Sequence, residues 1–154
     1  METVFHVAAK VGVWGRYEDF YRTNVLGTRS VVAACLAARV GRLIHFSSVH
    51  ALMPPPHPRP LTEEAPFPDE DAAPAYNHPK ARAEREVLAG VERGLDAVIL
   101  CPSGVFGPHD HGPSHAGRAL LEMWDGRFPA NLEGGFDWVD ARDVVRATLH
   151  AAVR

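Results

Sequence analysis

Short apolar runs, separated by longer stretches with a helical repeat, make up most of this 154-residue sequence. Four runs predict buried strands over residues 3–9, 42–47, 96–101 and 136–139. Apolar residues three and four positions apart predict helices over residues 17–39, 75–93, 114–125 and 140–153. Strands that alternate with helices are typical of a parallel α/β sheet, which is the fold class we predict.

Apolar stripes and glycines set the predicted faces and ends of the helices. Gly41 is predicted to end the first helix as a C′ residue, and Gly94 and Gly126 to end the next two. Residues 101–108 are predicted to form a loop. The core is predicted to receive one stripe from the first helix and one from the last: Phe20, Val25, Thr28, Val31, Val32, Cys35 and Leu36; then Val144, Val145, Leu149 and Val153.

The composition is ordinary for a soluble globular domain, with 46% hydrophobic and 23% charged residues. A net charge of -3 gives no basic footprint for nucleic acid or an anionic membrane. No apolar run approaches the roughly 20 residues of a membrane span, and no signal peptide is visible, so we expect a cytoplasmic protein. Cys35 and Cys101 are expected to be buried thiols, and Trp14, Trp124 and Trp138 to lie in the core or in a cleft wall.

A proline-rich segment interrupts the pattern between the second strand and the second helix. Eight prolines lie between Pro54 and Pro74, too many for regular structure. Because strand and helix patterns resume beyond it, we interpret residues 49–74 as a substrate-side loop within one domain.

Tyr76 and Lys80 are four residues apart at the predicted start of the second helix, so they share a helix face. A free phenol has a pKa near 10, and its use at pH 7 needs roughly 4 kcal/mol of preference for the phenolate. A fixed cation supplies part of that preference, so such a tyrosine can act as a general acid or base. The pair alone is weak evidence, because this spacing more often forms a solvated helix face.

Small and hydroxyl residues follow three of the predicted strands at their carboxyl ends, where parallel sheets bind ligands. They are Ala8-Ala9, Ser47-Ser48 and Pro102-Ser103. The helix with Tyr76 and Lys80 follows the second of these strands, so separate stretches of chain converge on one edge of the sheet. This convergence favours a catalytic function for Tyr76.

Six segments resemble, in order, the extended short-chain dehydrogenase/reductases, also called the NAD-dependent epimerase/dehydratase family. They are Phe5 to Ala9, Asn24 to Thr28, Phe46 to Ser48, Tyr76 to Lys80, Pro102 to Gly107 and Trp138 to Val144. The resemblance implies a partial Rossmann-type, doubly wound parallel sheet, corresponding to about strands 4 to 7 of the family fold, in one domain over residues 1–154.

The resemblance also implies the site residues. Tyr76 would be the catalytic acid or base, Lys80 would bind the nicotinamide ribose and lower the Tyr76 pKa, and Ser48 would bind the substrate oxygen. NAD or NADP would be the cofactor, and a small molecule the substrate. The implied cofactor contacts are Ala8, Ala9, Lys10, Asn24, Ser47, Tyr76, Lys80, Pro102, Ser103 and Val105. From the residues alone, small residues after a strand often serve only close packing, and Asn24 could be an ordinary solvated helix residue.

Two departures from the family pattern affect these expectations. Pro79 stands where the family more often has Ser, and no Gly-x-Gly-x-x-Gly or Gly-x-x-Gly-x-x-Gly occurs in the sequence. That glycine turn and its helix bind the pyrophosphate. We therefore expect that the 154-residue chain alone does not bind NAD(P) with useful affinity, and that the apolar edge of its first strand favours self-association, including a homo-oligomer.

Several functions remain open from the sequence. Ser48 is followed by Val49-His50 rather than the Asp-Glu of family dehydratases, and Ala51-Leu52-Met53 replaces the Val-Tyr-Gly of sugar-nucleotide epimerases. This favours a reductase or dehydrogenase; the alternatives are an epimerase, a non-catalytic dinucleotide-binding module and an inactive truncated product. We predict no metal site, because the cluster of His109, Asp110, His111 and His115 lies in a loop without supporting structure.

Overall fold

The computed structural model describes residues 2–12, 14–56, 59–68, 77–112, 114–127 and 136–153. The chain forms two compact units, residues 1–101 and residues 102–153, which are described separately. Both units are built from parallel strands and helices, as the sequence predicts.

The first unit is a three-stranded parallel sheet with helices. Its strands are β1 (Thr3–His6), β2 (Arg42–Phe46) and β3 (Ala97–Leu100), in the order β1-β2-β3. In this register His6 pairs with His45 and Phe46 with Leu100, so β2 is the central strand of the three. The helical segments are α1 (Tyr17–Phe20), a π-helical segment (Tyr21–Leu26), α2 (Gly27–Ala37), a 3₁₀ turn (Val49–Ala51) and α3 (Asn77–Glu92).

The core of the first unit lies between the sheet and helices α2 and α3. Five buried side chains form its centre: Val32, Cys35, Leu43, Val87 and Leu95. Helix α3 comes so close to α2 that a Cβ added at Gly90 would lie 2.6 Å from a methyl group of Val32. The predicted stripe of the first helix is confirmed, because its seven residues are buried or half-buried.

The predicted first helix differs from the observed one in two respects. Its middle is the π-helical segment, which the 3.6-residue repeat does not reveal, and which buries Asn24 and Val25. Its end does not use Gly41: α2 stops at Ala37, and Arg39 adopts the left-handed conformation with φ 49°. Gly41 is instead adjacent to β1, since a Cβ there would lie 2.7 Å from the Glu2 carbonyl oxygen. Gly94, with φ 93°, follows α3 as predicted.

The second unit contains two short parallel strands, β4 (Gly104–Phe106) and β5 (Trp138–Asp140), and two helices, α4 (His115–Trp124) and α5 (Ala141–Val153). The prediction of a loop over residues 101–108 is wrong at β4, since three residues are too few to form a periodic pattern. Ser114 caps α4, its hydroxyl oxygen accepting a hydrogen bond from the Gly117 N–H at 3.0 Å.

Several apolar side chains predicted to be internal are exposed. In α5, Val145, Leu149 and Val153 are all more than half exposed, and Trp14 and Trp124 are each 88% exposed. The predicted inward stripe of α5 is therefore wrong at these three positions, although its first residue, Val144, is half-buried, and the core position of these two tryptophans is wrong for this chain. Within the described part of the second unit, two strands and two helices do not cover one another's apolar faces.

None of the helices in the described ranges is both long and apolar enough to cross a membrane.

Candidate functional site

The carboxyl end of β2 is attached to helix α3 by two buried polar side chains. Lys80 Nζ donates a hydrogen bond to the Phe46 carbonyl oxygen at 3.1 Å. The Ser47 hydroxyl donates to Glu84 Oε2 at 2.6 Å. Because Lys80 and Glu84 are one helical turn apart, each holds one of two consecutive residues at the strand end. Both side chains, and that of Ser47, are buried.

The Lys80 ammonium lies in an environment that disfavours its charge. Burial lowers the pKa of Lys80, while the interactions with Cys101 and Glu84 act in the opposite direction. An ammonium carries three donors, and Phe46 accepts one of them. The remaining N–H groups suit vicinal hydroxyls such as those of a ribose.

Ser48 follows directly on this strand end. Its backbone is extended, with φ -166° and ψ 152°, and it caps the 3₁₀ turn Val49–Ala51. The Ser48 hydroxyl oxygen accepts a hydrogen bond from the His50 N–H at 3.3 Å, which leaves its O–H free to donate. The structure thus brings Ser47, Ser48 and Lys80 together at one strand end.

The loop after β1 is fixed by Asn24 of the π-helical segment. Asn24 Oδ1 accepts from the Lys10 N–H at 2.7 Å, and Asn24 Nδ2 donates to the Lys10 carbonyl oxygen at 3.0 Å. The Lys10 ammonium lies 3.2 Å from Asp19. Ala8 is exposed and Ala9 half-buried in this loop. The buried amide of Asn24 therefore positions the Lys10 backbone, and its predicted contact with a cofactor stays a prediction.

Two paired histidines, His6 of β1 and His45 of β2, lie next to the end of β2 and are not among the predicted site residues. His6 and His45 are buried with ring centroids 5.1 Å apart, and His6 Nε2 is hydrogen-bonded to Thr28 Oγ1 at 2.9 Å. Neither ring nitrogen of His45 has a hydrogen-bond partner among the described residues. Burial, with the positive charges of His6 and Lys80, lowers the pKa of His45 to about 3, so this ring is neutral at pH 7.

Glu84 is the other residue that the sequence reading missed. Its carboxylate accepts from Ser47, and the Cys101 thiol lies 3.8 Å from the same oxygen. Burial, together with the charge of Glu84, raises the pKa of the Cys101 thiol to about 11. The signal in the sequence was its spacing, since a glutamate four residues after Lys80 shares the buried face of α3.

Other predicted site residues are not brought into this cluster. Tyr76 lies outside the described residues; α3 begins at Asn77, and Pro79 lies in its first turn, as predicted. Pro102, Ser103 and Val105 belong to the second unit, the first two before β4 and the third within it. Their contacts with a cofactor remain predictions.

The described parts of the proline-rich loop form an open pocket. The Met53 N–H donates to the Pro66 carbonyl oxygen at 2.7 Å, which closes the loop on itself. The pocket has a volume of about 640 Å³ and is lined mainly by proline, with Arg59 and Glu64 as its charged residues.

The histidines of the second unit are exposed. His109 and His111 have ring centroids 5.7 Å apart. Over the described ranges no three His, Cys, Asp or Glu side chains are grouped so that they could hold a metal ion.

The comparisons with known sequences agree with the resemblance read from the motifs. The profile described as "NAD dependent epimerase/dehydratase family" matches residues 1–154. Sterol demethylase protein B of Methylococcus capsulatus is 35% identical over 156 residues, which covers 98% of this chain and 46% of that protein. The 2-alkyl-3-oxoalkanoate reductase of Stenotrophomonas maltophilia is 38% identical over 112 residues, covering 71% of this chain and 34% of that protein.

Solved structures confirm the Rossmann-type fold. The crystal structure of gox2253 matches with a TM-score of 0.90 and 35% identity, over 99% of this chain and 47% of that one. MoeE5 in complex with UDP-glucuronic acid and NAD matches with a TM-score of 0.80 and 29% identity, over 100% of this chain and 53% of that one. The chain thus spans about half the length, or less, of the relatives it matches.

Proposed function

Because this chain belongs to the NAD-dependent epimerase/dehydratase family, we propose that it carries the catalytic residues of an oxidoreductase. The reaction would transfer a hydride between NAD(P) and a carbonyl or alcohol substrate, with Ser48, Tyr76 and Lys80 as the reacting side chains. The observation that carries the proposal is the buried Lys80 ammonium, held at the end of β2 beside Ser48.

The described residues fit the nicotinamide end of the family's cofactor, which supplies or accepts the hydride when bound. The Lys80 ammonium keeps N–H groups for ribose hydroxyls, and the small Ala8 and Ala9 leave room beside the loop that Asn24 fixes. Burial of Lys80 strengthens its interactions with bound oxygens, because fewer water molecules compete.

Proton transfer is the task of the protein's own side chains. Tyr76 would exchange its phenolic proton with the substrate oxygen, and the charge of Lys80, four residues later in the sequence, would stabilise the phenolate. Ser48, whose oxygen accepts from the His50 N–H, would donate its O–H to the same substrate oxygen and hold it in place.

Reduction of a ketone is the reaction we favour. Val49-His50 after Ser48 lacks the acid pair of family dehydratases, and one relative is named a 2-alkyl-3-oxoalkanoate reductase. The second candidate is epimerisation of a sugar nucleotide, which is favoured by the likeness to a structure that contains UDP-glucuronic acid and NAD.

The experiment uses the product of the complete open reading frame with NADH or NADPH. A 2-alkyl-3-oxoalkanoate and UDP-glucuronic acid are the two probe substrates. We expect one nicotinamide to be oxidised for each ketone reduced. Product formation from UDP-glucuronic acid, with no net change in nicotinamide absorbance, would instead establish the epimerase.

A further inference from the structure

Glu84 occupies a position that seldom holds a charge. Its side chain is buried, on the face of α3 that packs against the end of the central strand. Acidic side chains are almost never fully buried unless they are paired. Among the described residues, the partners of Glu84 are the Ser47 hydroxyl at 2.6 Å and the Cys101 thiol at 3.8 Å, both neutral groups. A buried carboxylate whose donors in the described part of the chain are neutral points to an electrostatic role.

The groups around Lys80 identify that role. Four titratable side chains interact with it: Glu84 on its own helix, Cys101 after β3, and His6 and His45 on the two neighbouring strands. Burial, more than the charge of Lys80, lowers the pKa of both histidines below the usual 6.5, so they are neutral at pH 7, and burial keeps the Cys101 thiol neutral until about pH 11. Glu84 carries the one carboxyl group among these four side chains.

We propose that Glu84 is a positioning residue of this site, which holds the Ser47 hydroxyl at the end of β2 and provides the negative charge that keeps the buried Lys80 ammonium protonated. Its part in the reaction rests on the function proposed above. A protonated Lys80 can stabilise the Tyr76 phenolate and bind ribose hydroxyls, whereas a neutral amine would do neither well. Glu84 acts through Lys80 and Ser47 and need not touch substrate or cofactor.

The test uses the fact that the 154-residue sequence contains only two lysines, Lys10 and Lys80. Labelling with [¹³Cε]-lysine therefore gives two side-chain NMR signals, and Lys10→Arg assigns them. The pH titration of the Lys80 signal reports the protonation of this amine directly, without substrate or cofactor.

Glu84→Gln is the central variant, because the amide keeps an oxygen that can accept from Ser47 and removes only the charge. We expect the midpoint of the Lys80 titration to move to lower pH by about one unit or more, as for loss of a close opposite charge. A purely structural role gives the opposite sign, because a loosened helix would admit water to Lys80 and raise its pKa. An unchanged or raised midpoint would overturn the proposal.

Three further variants separate charge from packing. Ser47→Ala removes the hydrogen bond and keeps the carboxylate, so the Lys80 midpoint should not fall. Glu84→Asp keeps the charge on a shorter side chain and should stay closer to the wild type than Glu84→Gln. Glu92→Gln, at an exposed position at the end of α3, is the matched control and should leave the Lys80 midpoint unchanged.

If Glu84→Gln does not fold, Ser47→Ala and Glu84→Asp still test whether the charge of Glu84 sets the titration midpoint of Lys80. A fall of the Lys80 midpoint in either variant as large as about one unit would contradict the assigned role of the charge. The result is also independent of the proposed function. If Lys80 titrates as expected but the protein transfers no hydride, only the proposed enzymatic function is contradicted. If the enzyme is active but the Lys80 midpoint does not respond to Glu84→Gln, only the proposed role of Glu84 is contradicted.

Discussion

The two units of this chain differ in how far they bury their apolar side chains. Every buried apolar residue found in the described ranges lies in the first unit, from Phe20 to Leu95. In the second unit Thr148 is the buried residue identified, while Leu121, Met123, Trp124 and Leu149 are more than half exposed. Both units contain parallel strands and amphipathic helices. The difference therefore lies in whether the apolar faces meet a partner.

The first unit also buries its polar site. Lys80 and Glu84 remain in a closed core because each has hydrogen-bond partners at the end of β2. Polar pairs of the second unit, such as Asp140 with Arg142, lie at its surface. Buried electrostatic interactions are stronger than exposed ones, so the candidate chemistry lies where the packing is best.

The largest expected effect tests the packing difference itself. Leu43→Ala removes a fully buried side chain of the first unit and should lower the unfolding free energy by about 2–5 kcal/mol. Leu121→Ala, at a 53% exposed position of the second unit, is the matched control and should change it by less than about 0.5 kcal/mol. Urea denaturation measures both. Equal losses would mean that the two units do not differ in packing.

The second prediction concerns pH and the buried ring of His45. The pKa of His45 is about 3 in the folded protein and 6.5 for a free histidine. As the pH falls, the ring is therefore protonated in the unfolded chain before it is protonated in the folded one. The contribution of neutral His45 to the free energy of unfolding is fully present above pH 6.5 and is lost as the pH falls toward 3. We expect a loss of about 2 kcal/mol between pH 6.5 and pH 5.

His45→Leu should flatten this dependence, because the titratable ring is gone. Urea denaturation of both proteins at a series of pH values makes the comparison. An equally steep decline in His45→Leu would show that other groups dominate in this pH range.

A smaller effect is expected at the loop after β1. Asn24→Ala removes two hydrogen bonds to the Lys10 backbone and should cost about 1–2 kcal/mol. Amide hydrogen exchange at Lys10 should accelerate, because its N–H loses its acceptor. Thr23→Ala, an exposed neighbour in the same π-helical segment, serves as the control. Exchange at Lys10 that does not differ between the two variants would disprove the positioning role of Asn24.

The strands of the first unit and their convergence could be predicted, because buried parallel strands are apolar runs whose carboxyl ends share one sheet edge. Gly41 was assigned wrongly because a glycine after a helix can serve either the helix end or a close approach of another strand. The three-residue β4 is too short for a pattern. Spacing alone could not reveal that His45 is buried with no hydrogen-bond partner among the described residues, since that depends on which strands flank β2.

The residues of the candidate site were only partly predictable. The four-residue spacing drew attention to Tyr76 and Lys80, and the serine pair followed from its place after a strand. Glu84 was missed because charged residues on helices usually face water. Its burial is a result of tertiary packing between α3 and the end of β2.

The most direct test of the account is the turnover of Tyr76→Phe in the product of the complete open reading frame. The phenyl ring keeps the size of the side chain and removes the exchangeable proton. We expect NAD(P)H-dependent ketone reduction to fall by about 10² to 10⁴, with cofactor affinity nearly unchanged. Turnover close to the wild-type rate would contradict the assignment of Tyr76 as the acid or base.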